Sequence, residues 1–302
     1  MQTILVTGAS GFVGGTLLGM AARGELEGAP RFVGLPPEAD LRQPAQLNAA
    51  LANITCDAVI HLAAITFVPE SFERPHETYE INLHGTINLI EGLKRRGFQG
   101  AFLYVSSGDV YGAVPPEHLP IGEERIPRPR NPYAASKLAA EAYCIQAGIS
   151  SGLRVLIARP FNHIGPGESE RFVLPAMAKQ ILEIKQGKRP SVIETGNVDV
   201  TRDFSDVRDV LRAYLALLTS GRAGETYNVC SGVERNVGQV LLQMLSLSGV
   251  KATVQAKDEK MRPNEQKRHC GSNRKLCDDT GWAARIDFGR SLHDLLASWK
   301  VL

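Results

Sequence analysis

The 302-residue sequence predicts an α/β protein with a doubly wound parallel sheet, in which helices cover both faces of the strands. Short runs rich in β-branched residues alternate with helical patterns over the first half of the chain, as is typical of this architecture. With 43% apolar residues, the chain can bury a large core. We find no internal repeat of about 20 to 50 residues, which excludes solenoids and multi-module arrays.

Five segments are expected to form buried parallel strands, because each is short, apolar and bounded by turn-forming residues. They are residues 3–7, 31–34, 57–62, 101–106 and 153–158. The clearest helix spans residues 76–96, where one face carries a periodic row of apolar residues, namely Tyr79, Leu83, Ile87 and Ile90. This face can pack on the sheet or lie in an interface between subunits, and the sequence does not choose between them.

Beyond about residue 165 the strand and helix alternation loosens, with proline and glycine breaks between isolated helices at residues 206–219 and 237–248. We therefore expect the first 165 residues to form mainly one domain. Residues 166–302 are expected to form a smaller, interleaved substrate lobe, with residues 206–230 returning to the first domain.

The charge balance excludes several classes of partner. Lysine and arginine number 34 against 32 acidic residues, so the net charge of +2 gives no field for nucleic acid or an anionic membrane. The N-terminal residues lack the features of a secretory signal, and no apolar stretch is long enough to span a bilayer, so we expect a cytoplasmic protein. The five scattered cysteines contain no C-x-x-C pair and indicate reduced packing residues rather than a metal site.

A glycine-rich loop, residues 7–14, follows the first predicted strand directly and opens a helix. Gly8, Gly11 and Gly14 would let the backbone approach a pyrophosphate, whose charge the free N–H groups and the helix dipole attract. Phe12 and Val13 lie within the same loop. An ordinary glycine-rich turn is the alternative, but the position between strand and helix predicts dinucleotide binding.

The choice of dinucleotide is less clear, because residues 33–37 offer neither the acid that accepts the NAD ribose bond nor an arginine for the NADP phosphate. We expect NADP(H) to be favoured and NAD(H) to be possible. Asp40, followed by Leu41, is spaced to reach the adenine amino group, although a solvated aspartate fits equally well. The small residues after the third strand could admit the nicotinamide half or merely end the strand; they are Leu62, Ala63 and Ala64.

The segment around Tyr133 indicates catalysis. Asn131 can cap a helix and Pro132 can occupy its first turn, which places Tyr133 and Lys137 on one helical face. We expect the Lys137 ammonium to lower the pKa of Tyr133 from its ordinary value of about 10, so that the phenol can protonate a carbonyl oxygen. Such a pair alone is often a solvated surface, so a partner is required.

Ser107 supplies that partner, because it follows the predicted strand 101–106 at the sheet edge where ligands of open α/β sheets bind. Its hydroxyl can bond the same carbonyl oxygen, or it can cap a turn. The occurrence of glycine loop, serine and Tyr-x-x-x-Lys in this order favours the catalytic interpretation.

Together these motifs resemble the extended short-chain dehydrogenase/reductases that act on nucleotide sugars, over residues 7 to 299. The resemblance extends to residues 82–86, 159–167 and 202–209. Within that family the sequence is most similar to the 4-keto-reductases of GDP-6-deoxy sugars, on the evidence of residues 161–167, 227–232 and 261–265.

The resemblance implies a GDP-sugar substrate. It implies that Asn162 contacts the diphosphate, that Arg202 and Arg262 neutralise it, and that Glu265 accepts bonds from ribose hydroxyls. Pro160 is expected beside the cofactor. By the same resemblance, the 76–96 helix and the Tyr133 helix would pair with their copies in a homodimer.

The implied reaction is transfer of hydride to C4 of GDP-4-keto-6-deoxy-D-mannose, giving GDP-D-rhamnose. The related dehydratases carry a threonine at the position of Ser107 and typically a glutamate at the position of Asp109, and the shorter acid beside Gly108 favours simple reduction. A GDP-mannose 4,6-dehydratase, a talose-forming reductase and a nucleotide-sugar 4-epimerase stay open as alternatives, as does a non-catalytic NAD(P)-binding scaffold.

Overall fold

A parallel sheet lies at the centre of the protein, whose computed structural model describes residues 2–36, 38–260 and 266–302. Its six strands run in the order β2-β1-β3-β4-β5-β9. The strands of the described chain are β1 Thr3–Thr7, β2 Arg31–Gly34, β3 Ala58–His61, β4 Ala101–Val105, β5 Arg154–Pro160, β6 Asn162–Ile164, β7 Val192–Thr195, β8 Thr201–Asp206, β9 Thr226–Val229, β10 Glu234–Asn236, β11 Thr253–Ala256 and β12 Arg268–His269.

Helices cover both faces of this sheet, so the predicted doubly wound architecture is confirmed. The α-helices are α1 Phe12–Ala22, α2 Pro44–Leu51, α3 Val68–Glu73, α4 Pro75–Tyr79, α5 Gly85–Arg95, α6 Pro132–Ser151, α7 Val173–Lys185, α8 Val207–Ser220, α9 Val237–Ser248, α10 Arg274–Thr280 and α11 Phe288–Ser298. Among the residues described, no helix combines the length and apolarity needed to cross a membrane.

The five predicted strands all occur, and β1 and β2 have the predicted bounds. The sixth strand, β9, was not expected, because Asn228 interrupts an otherwise apolar run. That asparagine is fully buried, and its side chain is satisfied by the Tyr111 hydroxyl at 2.8 Å and the Ile121 carbonyl at 2.9 Å. Long-range hydrogen bonds thus place a polar residue inside a buried strand.

The predicted helix 76–96 is divided into α4, a π-helical turn over Glu80–His84, and α5. A π turn accommodates an extra residue and thereby rotates the faces of the flanking helices. Of the expected apolar row, Ile90 is buried, whereas Tyr79, Leu83 and Ile87 are only half-buried. The buried face includes Asn82, Thr86, Leu89 and Leu93.

Among the described residues, three large apolar cores and one small cluster around Phe161 and Tyr111 hold these elements together. One lies between the sheet and helices α1, α8 and α10, and a second lies between the opposite face and α2, α5 and α6. A third core forms in the C-terminal half, where α7, α9 and α11 pack with β7 and β8. Three short strands, β6, β10 and β12, all pair with β8. Because β6 directly follows β5 in the chain, this pairing places the C-terminal half at the carboxyl end of β5.

Candidate active site

The glycine loop between β1 and α1 leaves no room for a side chain at Gly8 or Gly14. Gly8 has a φ of +68°, and a Cβ there would lie 2.8 Å from the Ala63 nitrogen. A Cβ on Gly14 would lie 2.3 Å from the Gly8 carbonyl oxygen. Gly11 begins the helix as its N-cap and has no capping side chain, and its N–H donates to the Gly8 oxygen at 3.1 Å. The result is a compact backbone turn at a helix N-terminus, as a pyrophosphate site requires.

Buried polar bonds fix the neighbouring strand against this loop. The Thr7 hydroxyl lies 2.6 Å from Nδ1 of His61 and accepts from the Ala63 N–H at 3.1 Å. The other ring nitrogen of His61 lies 2.9 Å from the Thr86 hydroxyl. Burial lowers the pKa of His61 to about 3, so the ring is neutral at physiological pH. Residues 62–64 are therefore held half-buried beside the glycine loop, at the predicted cofactor position.

Asp40 and Leu41 have other contacts in this structure. Both carboxylate oxygens of Asp40 accept bonds from Arg42, and these bonds lower the pKa of Asp40. The Leu41 side chain is buried against Gly85, and its carbonyl accepts from Asn88 at 2.8 Å. The adenine contact of Asp40 stays a prediction.

Helix α6 begins as its sequence predicts. The Asn131 side chain accepts from the Ala134 N–H at 2.7 Å, and Pro132 is the first helical residue. This start buries Tyr133 and Lys137, which are 7% and 3% exposed, in the interior. The Ser107 side chain lies near enough to the Tyr133 phenol to lower its pKa, so the structure brings together the phenol and the hydroxyl that were expected to share a ketone oxygen.

The predicted lowering of the Tyr133 pKa is wrong for this structure. Burial raises that pKa well above its ordinary value of 10.0; the nearby Ser107 side chain opposes this effect, and Asp109 adds to it. Lys137 instead donates to the Val105 carbonyl at 2.7 Å, and burial lowers its own pKa to about 8. The loss of solvation at this depth is the largest influence on the Tyr133 pKa, and the Lys137 ammonium is not among the groups that shift it.

One buried residue that helps to position helix α6 was not foreseen, although its motif was noted. Asn82 accepts from the Ile65 N–H at 2.8 Å and donates to the Ser136 hydroxyl at 2.9 Å. Ser136 in turn donates to the Tyr133 carbonyl at 2.7 Å. Asn82 thereby ties the first turn of α6 to the loop after β3. The available signal was a polar residue in the middle of a helical apolar pattern.

Of the four predicted substrate residues, the structure describes two, Asn162 and Arg202. Asn162 is exposed at the start of β6, and this strand pairs with β8, which carries Arg202. The Arg202 guanidinium donates to the carbonyls of Thr201 and Gln266 at 2.8 and 2.9 Å. Arg262 and Glu265 lie outside the described residues. Pro160 is buried at the carboxyl end of β5, which places it at the ligand-binding edge of the sheet.

Two features of this edge suit a bound dinucleotide. The first is the tight glycine turn at the N-terminus of α1, where the lack of side chains at Gly8 and Gly14 lets the backbone pack closely against Ala63 and the Gly8 carbonyl. The second is the Ser106 hydroxyl, which is buried next to Ser107 and forms no hydrogen bond with the described residues. Such an unsatisfied buried donor is costly, and a bound polar ligand would satisfy it.

Comparisons with known proteins agree with this geometry. The family model described as GDP-mannose 4,6 dehydratase matches residues 36–295. GDP-6-deoxy-D-mannose reductase of Pseudomonas aeruginosa is 48% identical over 99% of this chain and 97% of its own length. GDP-6-deoxy-D-talose 4-dehydrogenase of Aggregatibacter actinomycetemcomitans is 31% identical over 81% of this chain and 80% of its own.

Solved structures give the same result. The structure of RMD from Pseudomonas aeruginosa complexed with NADPH superposes with a TM-score of 0.93 at 48% identity, over 99% of both chains. A putative epimerase from Burkholderia cenocepacia has a TM-score of 0.82 at 32% identity, covering 100% of this chain and 99% of its own. The likeness therefore extends through both halves of the molecule.

Proposed function

Because the chain belongs to the extended short-chain dehydrogenase/reductase family of nucleotide-sugar epimerases and dehydratases, we propose that it reduces the C4 ketone of GDP-4-dehydro-6-deoxy-D-mannose to GDP-D-rhamnose. The observation that carries this proposal is that the Tyr133 phenol lies near the Ser107 side chain at the carboxyl edge of β4. The 48% identity to a GDP-6-deoxy-D-mannose reductase supports the choice of substrate.

NADPH is the favoured reductant, and NADH is possible. The related structure was solved with NADPH, and residues 33–36 carry no acid that would repel its additional phosphate. Gly8, Gly11 and Gly14 would hold the pyrophosphate, with Phe12 and Val13 in the same turn, while residues 62–64 and Pro160 would line the nicotinamide half. When bound, the cofactor supplies the hydride.

The side chains of the site deliver the proton. Since burial raises its pKa, Tyr133 is a neutral phenol at physiological pH and is ready to donate. Its proton passes to the C4 oxygen as charge develops there, while the Ser107 hydroxyl donates to the same oxygen and holds it in place. Lys137 lies one helical turn away, where its ammonium would bind the ribose hydroxyls and favour the phenolate left after transfer.

The substrate would lie across the two halves of the chain. Asn162 on β6 and Arg202 on β8 are supplied by paired strands that follow the sheet edge, where a diphosphate would lie between an amide and a guanidinium. Arg262 and Glu265 are proposed to complete the site by binding the diphosphate and the nucleoside ribose.

We propose further that the chain divides near residue 165, with residues 206–230 returning to the first domain. The packing of α8 and β9 with the central sheet supports this division. A homodimer through α4, α5 and α6 is supported by the half-buried apolar side chains of Tyr79 and Ile87. We propose a cytoplasmic location, where NADPH is available.

A second candidate function is 4,6-dehydration of GDP-mannose. It is favoured by the description of the matching family, and its additional acid or base would have to be Asp109, whose charge acts on Tyr133 but whose side chain is one methylene shorter than the glutamate of the dehydratases. Dehydration starts from an alcohol and consumes no reduced cofactor overall, so the two functions are separable by assay.

The deciding experiment incubates the purified protein with GDP-4-keto-6-deoxymannose and either NADPH or NADH, follows the absorbance of the reduced cofactor, and identifies the product by NMR. We expect oxidation of the cofactor with formation of GDP-D-rhamnose. Formation of the talose epimer would correct the stereochemistry. Conversion of GDP-mannose to the 4-keto sugar would favour the dehydratase, and stronger thermal stabilisation by UDP or dTDP sugars than by GDP sugars would overturn the substrate assignment.

A further inference from the structure

Strand β12 brings a histidine from the C-terminal half into contact with the loop that carries Ser107. Parallel pairing with β8 places His269 opposite Arg202. The His269 side chain is buried, and its ring stacks on Phe161 with centroids 4.5 Å apart and an interplanar angle of 25°. Its Nε2 lies 3.3 Å from the carbonyl oxygen of Gly108, the residue after Ser107.

The Gly108 carbonyl fixes the direction of this bond and thereby the tautomer of His269. Burial lowers the pKa of the imidazole, which favours the neutral ring although Asp109 and Asp203 oppose that effect and Arg202 reinforces it. A carbonyl oxygen can only accept a hydrogen bond. Nε2 therefore carries the proton and donates it to Gly108, which leaves Nδ1 unprotonated.

The same two rings explain the glycine at position 108. A Cβ there would lie 3.0 Å from the Phe161 ring and 3.2 Å from Cε1 of His269. Because Gly108 has no side chain, its backbone can pack directly against the stacked rings of Phe161 and His269. The Ser107 hydroxyl accepts from the Asp109 N–H at 3.1 Å, so that the two residues flanking Gly108 are joined and the three residues form one short turn.

The segment after His269 is itself fixed. The Cys270 carbonyl accepts from the Ile121 N–H at 2.9 Å, and the Gly271 N–H donates to the buried Asp203 carboxylate at 3.3 Å. The support beneath Gly108 is therefore part of a braced strand end rather than a mobile side chain.

We propose that His269 is a positioning residue for Ser107: by donating to the Gly108 carbonyl it fixes the turn that aims the serine hydroxyl at the substrate ketone. This inference rests on the proposed function, because Ser107 matters only if a carbonyl oxygen reacts there. His269 does not touch the reacting atoms. Since the Ser107 bond strengthens as negative charge develops on the oxygen, its misalignment lowers kcat more than it raises KM.

Three substitutions separate the bond from the packing. His269→Phe keeps a ring on Phe161 but removes the donor, His269→Gln keeps a donor at the reach of Nε2, and His269→Asn has a donor too short to reach Gly108. We expect His269→Phe and His269→Asn to lower kcat about three- to tenfold, with KM for the GDP-4-keto sugar within about twofold. His269→Gln should return kcat to within about twofold of the wild type. A larger kinetic isotope effect with 4-deuterated NADPH should accompany the slow variants.

The outcomes distinguish this inference from the function it rests on. If the wild-type protein oxidises no NADPH with the GDP-4-keto sugar, the proposed function fails. If the wild type is active and His269→Phe retains its kcat, only the role of His269 fails. Equal losses in the Phe and Gln variants, together with lowered melting temperatures, would identify a packing residue and would also overturn the proposal.

Discussion

At the scale of single residues, burial decides how the titratable groups of this site behave. Tyr133 and Lys137 have the i, i+4 spacing that normally brings a charge beside a phenol, yet the pKa of Tyr133 is raised. The Lys137 nitrogen is directed to the Val105 carbonyl instead. A raised pKa keeps the phenol protonated, which suits the donor of a reduction.

The buried carboxyl of Glu168 makes the free energy of unfolding depend on pH. Its carboxyl is 8% exposed, has an oxygen that forms no hydrogen bond with the described residues, and has a pKa raised by burial from 4.5 to about 8. The folded protein therefore binds this proton more tightly than the unfolded chain does. The free energy of unfolding that depends on a protonated Glu168 is fully present below about pH 4.5 and is lost as the pH rises to about 8.

We accordingly predict that Glu168→Gln, which stays neutral, gains free energy of unfolding relative to the wild type between pH 5 and pH 8. The gain should reach about 2 to 4 kcal/mol, since each pKa unit corresponds to about 1.4 kcal/mol. Urea unfolding at both pH values measures it, with the exposed Glu170→Gln as control. An advantage that does not change with pH would contradict the assigned burial effect.

At the scale of elements, the glycine loop illustrates what local pattern can establish. A glycine motif between strand and helix predicts a tight turn. The structure shows the reason, because the Gly8 carbonyl oxygen occupies the position that a Cβ on Gly14 would need. The adjacent Gly15 has different surroundings, since its nearest neighbour would lie 3.9 Å from an added Cβ. These neighbouring positions form a matched pair.

We predict that Gly14→Ala weakens NADPH binding at least about tenfold, equivalent to about 1.4 kcal/mol, because the new methyl must displace the turn. Gly15→Ala should bind within about twofold of the wild type, and alanine should slightly favour the helix. Fluorescence titration of NADPH provides the comparison. Equal affinities in both variants would show that this turn does not hold the cofactor.

The sequence predicts elements best where neighbours in the chain determine them. The five strands and helix α9 follow from local periodicity, and α9 has the predicted bounds. Strand β9 was missed because Asn228 finds its partners, Tyr111 and Ile121, more than 100 residues away. The π turn after α4 was likewise missed, since the apolar row does not reveal the inserted residue.

The candidate site divides in the same way. Ser107 and Tyr133 could be identified from motif and chain order, and the structure places their side chains near each other. The role of Lys137 toward the phenol could not be judged, because side-chain direction depends on β4. His269 carries no local signal at all: its contact with Gly108 spans 161 residues and exists only because β12 pairs with β8.

At the scale of the whole molecule, the two halves are joined at the reacting edge of the sheet. The C-terminal half supplies β12 beneath the Ser107 turn, while α8 and β9 return to the central sheet. Substrate binding and catalysis are therefore expected to share one folded unit. The exposed side of α5 and the π turn remains available for a second copy.

We predict a homodimer in solution, weakened by Ile87→Arg. Ile87 is apolar and half-buried on α5, and a charge there would lose solvation in a subunit interface. Light scattering should give twice the chain mass for the wild type and a smaller mass for the variant. Leu242→Arg, on the exposed face of α9, serves as control. A wild-type monomer would contradict the proposed assembly.

The central claim is that a buried phenol donates the proton that completes ketone reduction, and one comparison tests it most directly. As a control, Tyr143→Phe removes another hydroxyl from the same helix. The Tyr143 hydroxyl donates to Glu91 at 2.8 Å and has no part in the proposed reaction. With NADPH and GDP-4-keto-6-deoxymannose, Tyr133→Phe should lower kcat about 100- to 10,000-fold, and Tyr143→Phe should change it less than about threefold. NADPH affinity should be retained in both. Undiminished turnover by folded Tyr133→Phe protein would contradict the account.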